Sequence, residues 1–459
     1  MRTRPSYSLK VLENLFAPGS VCLVGASHSE DKLGGVVLKN LLGKRDLKIY
    51  PVNPGYDSLM GVPALREISA LPGADLAIII RPAPEVSGIL QELKGKTRFA
   101  IIVSAGFSEA GHGDLQEEVK KTAASAGIQI LGPNCMGIYN TANGLDTFIL
   151  PADRVPRPKK GNIGFTTQSG AVLSLIFEYF HASGTGVSAA AHYGNAAGLD
   201  ECDFYSYFAG DKNTKAVISY LESIKDGRRF LESAGKLAAE GKPLLVLKAG
   251  KGQAGQSAAF SHTGRLAGSY GVFSSVLRQF GITEAMDLEE LADGAKGLSV
   301  SNANPLKAAG RKILVLTNGG GAGVLASDEF ARRGIELPPL PAESERRLRE
   351  KLPDFYGFGN PFDLTAQVRD EDYGVVLDEL HPHYDGFLII ALSAVRGITE
   401  GLARILAGFS LATVKPVVLH IGTDPVAGTI AAGAEAAGIP AFSTPERAAK
   451  VLGVLLGGS

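Results

Sequence analysis

His262 stands in the segment AAFSHTGRLAGS, among Ser, Ala, Thr and Gly, so its ring has no apolar face to join. A neutral imidazole attacks through one ring nitrogen while an acceptor holds the other, which makes a histidine offered by a small polar loop a candidate nucleophile. A lone histidine is equally at home as a structural or simply exposed residue, so its context has to decide. Glu222 closes the apolar run AVISYLE. A carboxylate at the end of an apolar strand needs hydrogen bonds or an opposite charge. The His262 ring would supply both, and the carboxylate would orient the imidazole and stabilise a positive phospho-imidazolium. The alternative is a surface carboxylate paired with Lys225 or Arg228. In TTQSGAVLS, the residues Ser169, Gly170 and Ala171 open a helical pattern and offer free N–H groups to an anion. The turn NGGGAGVL at 318–325 has the same form, and either could be a plain helix cap. A fourth candidate is VGASHSEDKLGG, in which Gly25 allows a sharp turn off a strand and Gly34 and Gly35 sit near a helix start suited to a phosphate. The strict G-x-G-x-x-G pattern is absent, and YPVNPG carries no acid for a ribose hydroxyl, which argues against NAD.

These residues need elements to position them. From 1 to 155 the chain alternates apolar runs at 21–24, 48–52, 76–80, 99–103 and 129–131 with helical patterns such as 109–126. Near-continuous apolar strands separated by helices imply a parallel sheet covered on both faces, a doubly wound Rossmann-like domain. PADRVPRPKKG at 151–161 reads as a linker, and SNANPLKAAGR marks a second one. The blocks 156–302 and 303–459 follow one plan. GNIGFTTQSGAVLS matches RKILVLTNGGGAGVLAS, NTKAVISYLES matches HYDGFLIIALSA, and KPLLVLKAG matches KPVVLHIG. GITEAMDLEELADGAKGL then matches GIPAFSTPERAAKVLGVL in the same order, so two flavodoxin-like α/β domains are expected. The alignment sets Glu222 opposite Leu392. It also exposes an insertion: roughly 30 residues separate Gly250 from Gly281, against about 15 between Gly422 and Gly438. The extra stretch carries His262 and is long enough to present its ring to more than one place.

Bulk properties narrow the class. The 459 residues are 45% hydrophobic and 20% charged, enough to bury large cores. A net charge of −1 provides no basic field for a nucleic acid or an anionic membrane. Cys22, Cys135 and Cys202 lie far apart without metal or disulfide spacing. No apolar stretch is long enough to span a bilayer and the N-terminus has no secretory apolar core, so a cytoplasmic protein is expected.

The motifs GAS, YPVNP, VSAGFSEAG, LGPNCMGIYN, TQSGA, KDGRRFLE, SHTGRLAGS and TNGGGAGVLASD run through nearly the whole chain. In type and order they resemble the α subunits of the ADP-forming acyl-CoA synthetases, relatives of succinyl-CoA synthetase. The resemblance implies a coenzyme A domain at 1–155, with Gly25, Ala26, Ser27, Pro54, Pro82 and Ser104 at the strand ends that hold CoA. It implies a phosphohistidine at His262 in the flavodoxin-like domain 156–302, steadied by Glu222, with phosphate bound at Ser169–Ala171, and a second flavodoxin-like domain at 303–459. The implied ligase reaction is acyl-CoA + ADP + phosphate ⇌ free acid + ATP + CoA. No ATP-grasp segment or P-loop is found for the nucleotide. ATP, ADP and Mg²⁺ are therefore expected on a separate ATP-grasp β subunit in an α₂β₂ heterotetramer, the alternative being that the activity is lost, with no metal site on this chain. Two departures stand out: TNGGGAGVL has glycine and alanine where the family often has alanine and proline, and GNAAGLDE lacks a lysine common after GN. A different class, a non-catalytic CoA- or acyl-CoA-binding regulatory module, would need the first block but not the Glu222/His262 pair.

Overall fold

The computed structural model describes residues 9–256, 269–307 and 310–457, with side chains from Leu12 onward. The chain forms two compact units, Met1–Glu284 and Ala285–Ser459.

In the first unit, five strands form an all-parallel sheet: β1 (Ser20–Val24), β2 (Lys48–Val52), β3 (Leu76–Ile79), β4 (Phe99–Ile102) and β5 (Gln129–Leu131). Their order is β2-β1-β3-β4-β5. LAII and FAII, the two runs after the centre, are wholly buried, as strands covered on both faces must be. Helices α1 (Leu9–Phe16), α2 (Leu33–Leu42), α3 (Val86–Glu92) and α4 (Gly113–Ala126) belong to this part of the chain. The helical pattern expected from 109 begins instead at Gly113. A 3-10 turn, Ser108–Ala110, precedes it and ends at Gly111, whose φ of 88° no helix continues.

A seven-stranded sheet follows in the same unit, from β6 (Gly137–Asn140), β7 (Leu145–Asp146), β8 (Lys160–Thr167), β9 (Val187–His192), β10 (Ala216–Leu221), β11 (Leu244–Lys248) and β12 (Thr283–Ala285). Its order is β12-β11-β10-β8-β9-β6-β7. The chain therefore enters this sheet at Gly137, ahead of the proline-rich segment at 151–161. The β6–β7 hairpin runs antiparallel beside β9 and covers what would otherwise be an open edge. Helices α5 (Gly170–Ser183), α6 (Glu201–Gly210), α7 (Gly227–Ala239) and α8 (Tyr270–Gln279) complete the layer arrangement. The N-terminal α1 packs on α6, where Phe16 stacks on Tyr207 with ring centroids 4.0 Å apart.

The second unit starts with α9 (Leu288–Val300), which packs against the helix Pro445–Leu455 of the same unit. Its sheet comprises β13 (Ile313–Thr317), β14 (Phe362–Asp363), β15 (Gly386–Ala391), β16 (Val417–Ile421) and β17 (Ala441–Phe442), all parallel, in the order β14-β13-β15-β16-β17. In all three sheets the first parallel strand lies between the second and the third. This is the flavodoxin-like doubly wound order, which opens a crevice at the carboxyl ends of the first and third strands.

The match between the last two sheets extends to individual hydrogen bonds. Thr167 Oγ1 accepts from the Ser169 N–H and donates to the Ser169 carbonyl, at 3.0 Å each. Thr317 Oγ1 does the same at Gly319, at 2.9 and 3.0 Å. The next residue in each turn is an amide, Gln168 or Asn318, and each reaches the residue that follows the third strand of its sheet. Asn318 Oδ1 accepts from the Leu392 N–H at 2.8 Å, and Gln168 Oε1 accepts from the Glu222 N–H at 2.5 Å. The alignment of Glu222 with Leu392 is thus the alignment of the folds.

Candidate functional site

The glycines after β1 create room for close backbone approach. Gly25 has φ 90°, and a Cβ there would lie 2.2 Å from the Ile80 carbonyl oxygen. A Cβ on Gly34 would lie 2.0 Å from the Gly25 carbonyl oxygen, so the start of α2 is pressed against the loop after β1. Around that contact the loop is tied down. Asn53 Nδ2 donates to the Ala26 carbonyl at 2.8 Å, and Ser27 Oγ accepts from the Ser29 N–H at 3.1 Å. Pro54 is exposed beyond them, its carbonyl accepting from Arg66 at 3.1 Å.

Further along the strand ends lies a cavity of about 470 Å³. Its floor is the loops after β3 and β4, namely Ile80–Pro82 and Val103–Ala105 by number, and its far side is Asn134–Met136, Gln168, Gly170 and His192. Leu33 and Ile149 add apolar wall. Of the six residues expected to hold CoA, Pro82 and Ser104 line this cavity, whereas Gly25, Ala26, Ser27 and Pro54 lie outside its lining. Ser104 is already engaged: its hydroxyl donates to the Arg81 carbonyl at 2.5 Å and binds the β3 loop to the β4 loop. Cys135 also faces the cavity. Burial pushes its thiol well above the ordinary value, and it donates to the Ile102 carbonyl at 3.3 Å, so it is no thiolate nucleophile. A cavity of this volume, with the aliphatic Leu33 and Ile149 beside a few polar side chains, is suited to a small organic ligand.

Glu109 organises the neighbouring turn. Burial would raise its carboxyl, but hydrogen bonds from Asn195, Gly106 and Phe107 outweigh burial and hold it below the usual carboxylate range. Asn195 also bonds Gln116 at 2.9 Å, which fastens the turn after β9 to α4.

The N-terminus of α5 forms the opposite wall. Ser169 is its N-cap, accepting from the Val172 N–H at 3.4 Å. The N–H groups of Gly170 and Ala171 are the first of the helix, lie at the positive end of its dipole and have no carbonyl one turn back to bond. The cap uses the serine oxygen and leaves these donors free of it. Gln168 is the residue that sequence reading missed. Its Nε2 donates to the Ser223 carbonyl at 3.0 Å, and its Oε1 accepts from the N–H groups of both Glu222 and Ser223. One amide thereby locks the turn before α5 to the turn that carries Glu222.

Glu222 is only 7% exposed, which removes the reading of it as a surface carboxylate. Its carbonyl accepts from Lys248 Nζ at 2.8 Å. Burial lowers the pKa of that ammonium, while the nearby Glu222 and Glu284 charges oppose the shift. His262 lies in 257–268, outside the described residues. Among the described residues, no group of three His, Cys, Asp or Glu side chains is gathered as metal ligands would be, and no helix is long and apolar enough to cross a membrane.

His192, also missed, links the cavity to α5. Its Nδ1 accepts from the Met136 N–H at 2.7 Å, so the proton resides on Nε2, which donates to the Gln168 carbonyl at 3.0 Å. Burial lowers its pKa to about 4. The unfolded ring takes up a proton near pH 6.5, and the folded ring refuses it until about pH 4. The stabilising contribution is therefore complete above pH 6.5 and is lost as the pH falls toward 4, at up to about 1.4 kcal/mol per pH unit. In His192→Gln, whose amide offers an acceptor and a donor but no titration, the slope of unfolding free energy over that window is expected to flatten. Denaturant melts at several pH values measure it, and an unchanged slope would assign the acid sensitivity to other groups.

Comparison with known proteins agrees with this arrangement. A family model described as "CoA binding domain" matches residues 19–141, and one described as "Succinyl-CoA ligase like flavodoxin domain" matches residues 160–298. The α subunit of ADP-forming acetate–CoA ligase II from Pyrococcus furiosus is 36% identical, over 95% of this chain and 95% of that subunit. ADP-forming acetate–CoA ligase I from Archaeoglobus fulgidus is 36% identical over 97% of this chain, and this chain spans 63% of that longer protein. Among solved structures, the dinucleotide-forming acetyl-coenzyme A synthetase 1 of Ca. Korarchaeum cryptofilum, in complex with phosphate and ADP, matches with a TM-score of 0.85 and 33% identity, covering 97% of this chain and 96% of that one. With identity of this degree along nearly the whole length of complete α subunits, the chain belongs to the family of α subunits of ADP-forming acyl-CoA synthetases.

Proposed function

We propose that this chain serves an ADP-forming ligase that interconverts acyl-CoA, ADP and phosphate with free acid, ATP and CoA through a phosphohistidine on His262. The observation that carries the reading is a single unit in which a strand-end cavity reaches the N-terminus of α5, with buried Glu222 locked to the same turn by Gln168. The activity of the related acetate–CoA ligases supports it.

The chemistry follows from that placement. CoA lies along the carboxyl ends of the first sheet, with its nucleotide end toward Gly25, Ala26, Ser27 and Pro54 and its pantetheine arm past Pro82 and Ser104. Phosphate sits on the N–H groups of Ser169–Ala171. A phosphate oxygen attacks the thioester carbonyl carbon, the C–S bond breaks, and the sulfur leaves as thiolate and is protonated to free CoA. A ring nitrogen of His262 then attacks phosphorus, and the P–O bond to the acyl group breaks to release the carboxylate. Glu222 holds the other ring nitrogen and balances the positive charge. Finally the N–P bond breaks as an ADP oxygen takes the phosphoryl group. That last transfer needs nucleotide and Mg²⁺, which a separate ATP-grasp β subunit would hold in an α₂β₂ assembly in the cytoplasm. In-line phosphoryl transfer depends on positioning and charge stabilisation more than on covalent chemistry from the protein, which suits a fixed helix end and one buried carboxylate.

The test is to titrate the purified chain with CoA, then add an ATP-grasp candidate subunit with Mg²⁺ and ATP and follow ADP release that requires both CoA and a carboxylic acid. CoA binding with acid-dependent ADP release is the expected result. CoA binding without turnover would favour a regulatory CoA-binding module, and failure to bind CoA would remove both readings.

A further inference from the structure

Met136 stands where the cavity meets the first residue of α5. A Cβ placed on Gly170 would meet Met136 Cε at 2.3 Å and Met136 Sδ at 3.2 Å, so the thioether end of Met136 lies directly against the first residue of α5. Met136 also lines the cavity, with Ile149 and Leu33 as its apolar companions. Its backbone cannot drift, because its N–H is held by the buried His192 ring at 2.7 Å. The fixed backbone and the unbranched side chain make Met136 a wall whose position is set and whose tip is adaptable.

This arrangement bears on the acyl group. If the cavity takes the thioester, on which this inference rests, the carbonyl carbon must reach phosphate at the α5 N–H groups. The acyl substituent then emerges beside Gly170, against Met136. Asn134, Gln168 and His192 line the same side but are engaged in hydrogen bonds with Asn195, Ser223 and the Gln168 carbonyl, whereas Met136, Ile149 and Leu33 offer only carbon and sulfur to an acyl chain. We infer that Met136 is the specificity-determining residue of the acyl site, its side chain restricting the substrate to short aliphatic carboxylic acids and excluding aryl acids by occupying the space next to Gly170.

One methylene-sized change in an apolar pocket discriminates by about 10–200-fold, so a truncation of three heavy atoms should be readily measurable. The experiment uses the full chain alone and calorimetric titration with CoA, acetyl-CoA and phenylacetyl-CoA. The quantity read is the Kd of each acyl-CoA divided by the Kd of CoA for the same variant, so that a general loss of affinity cancels. The parent chain is expected to favour acetyl-CoA over phenylacetyl-CoA. Met136→Ala is expected to reduce that preference by about tenfold or more, and Met136→Leu, of similar volume, to restore it. Should Met136→Ala fail to fold, Ile149→Val thins the same apolar lining more gently and is expected to shift the ratio in the same direction by a smaller factor. CoA binding with ratios unmoved by the folded truncations would overturn the role of Met136 while leaving the CoA site intact. Absence of CoA binding to the parent chain would instead overturn the reading of the cavity, and this inference with it.

Discussion

Replacing His262 with alanine is expected to abolish the acid-labile phosphoryl label acquired from ATP in the presence of the β subunit, and to lower overall turnover by on the order of 10⁴-fold or more, the scale seen when a covalent nucleophile is removed. The reasoning rests on the division of the reaction. In the proposed sequence the attack of phosphate on the thioester uses the α5 N-terminus and the cavity, and His262 acts only after it. The variant should therefore still bind CoA and still convert acyl-CoA and phosphate to acyl phosphate and CoA in a single half-reaction. Only the relay to nucleotide is lost. Two measurements separate the halves: thiol release from acyl-CoA in the presence of phosphate, and phosphoryl labelling at neutral and acid pH. Persistence of an acid-labile label in the variant would place the phosphoryl carrier elsewhere.

Glu222→Gln is expected to slow phosphohistidine formation by about 10²–10³-fold, the loss that follows removal of one fixed electrostatic group in a desolvated site. The substitution keeps size and one acceptor oxygen for the ring N–H, while exchanging the charged second oxygen for a neutral NH2. Charge matters here because the residue is buried, where an interaction with a cationic ring is weakly screened. The backbone on either side of the carboxylate is fixed by Gln168 and Lys248, so the amide should occupy the same place. The expected pattern is a slower phosphorylation rate with unchanged CoA affinity. Labelling at the parent rate would dismiss Glu222 as the partner of the ring and leave its burial as a feature of packing.

The sequence revealed the strands well because each is a short apolar run between helical patterns, and burial on both faces writes exactly that kind of run. It revealed the kinship of the last two sheets because their turns repeat a threonine, an amide and a glycine in register. Glu222 stood out for the same reason: the copy carries Leu392, so a polar residue in a place built for an apolar one was visible without coordinates. The β6–β7 hairpin was not legible. GIYN and LD are too short to show any period, and their pairing with β9 depends on residues far away in sequence. Gln168 and His192 were missed because their importance lies in what they bridge. One signal was available for His192, which ends the apolar run VSAAAH much as Glu222 follows AVISYL. The cavity lining was legible in part, through Pro82 and Ser104, because strand-end loops can be listed from sequence. Which of those loops converge depends on strand order, which periodicity does not contain.

The hairpin Gly137–Asn140 and Leu145–Asp146 has an evolutionary corollary. A module can be transplanted between proteins only if a cut leaves each sheet complete. Recombination within the proline-rich stretch at 151–161 would send the hairpin away with the wrong partner and strip β9 of its neighbour, exposing an aggregation-prone border. The CoA-binding family match nevertheless runs to residue 141, so the first strand of the hairpin is shared property: the CoA-binding module supplies it and the flavodoxin-like sheet is completed by it. A lineage that separates the two must find a new cover for the border of β9.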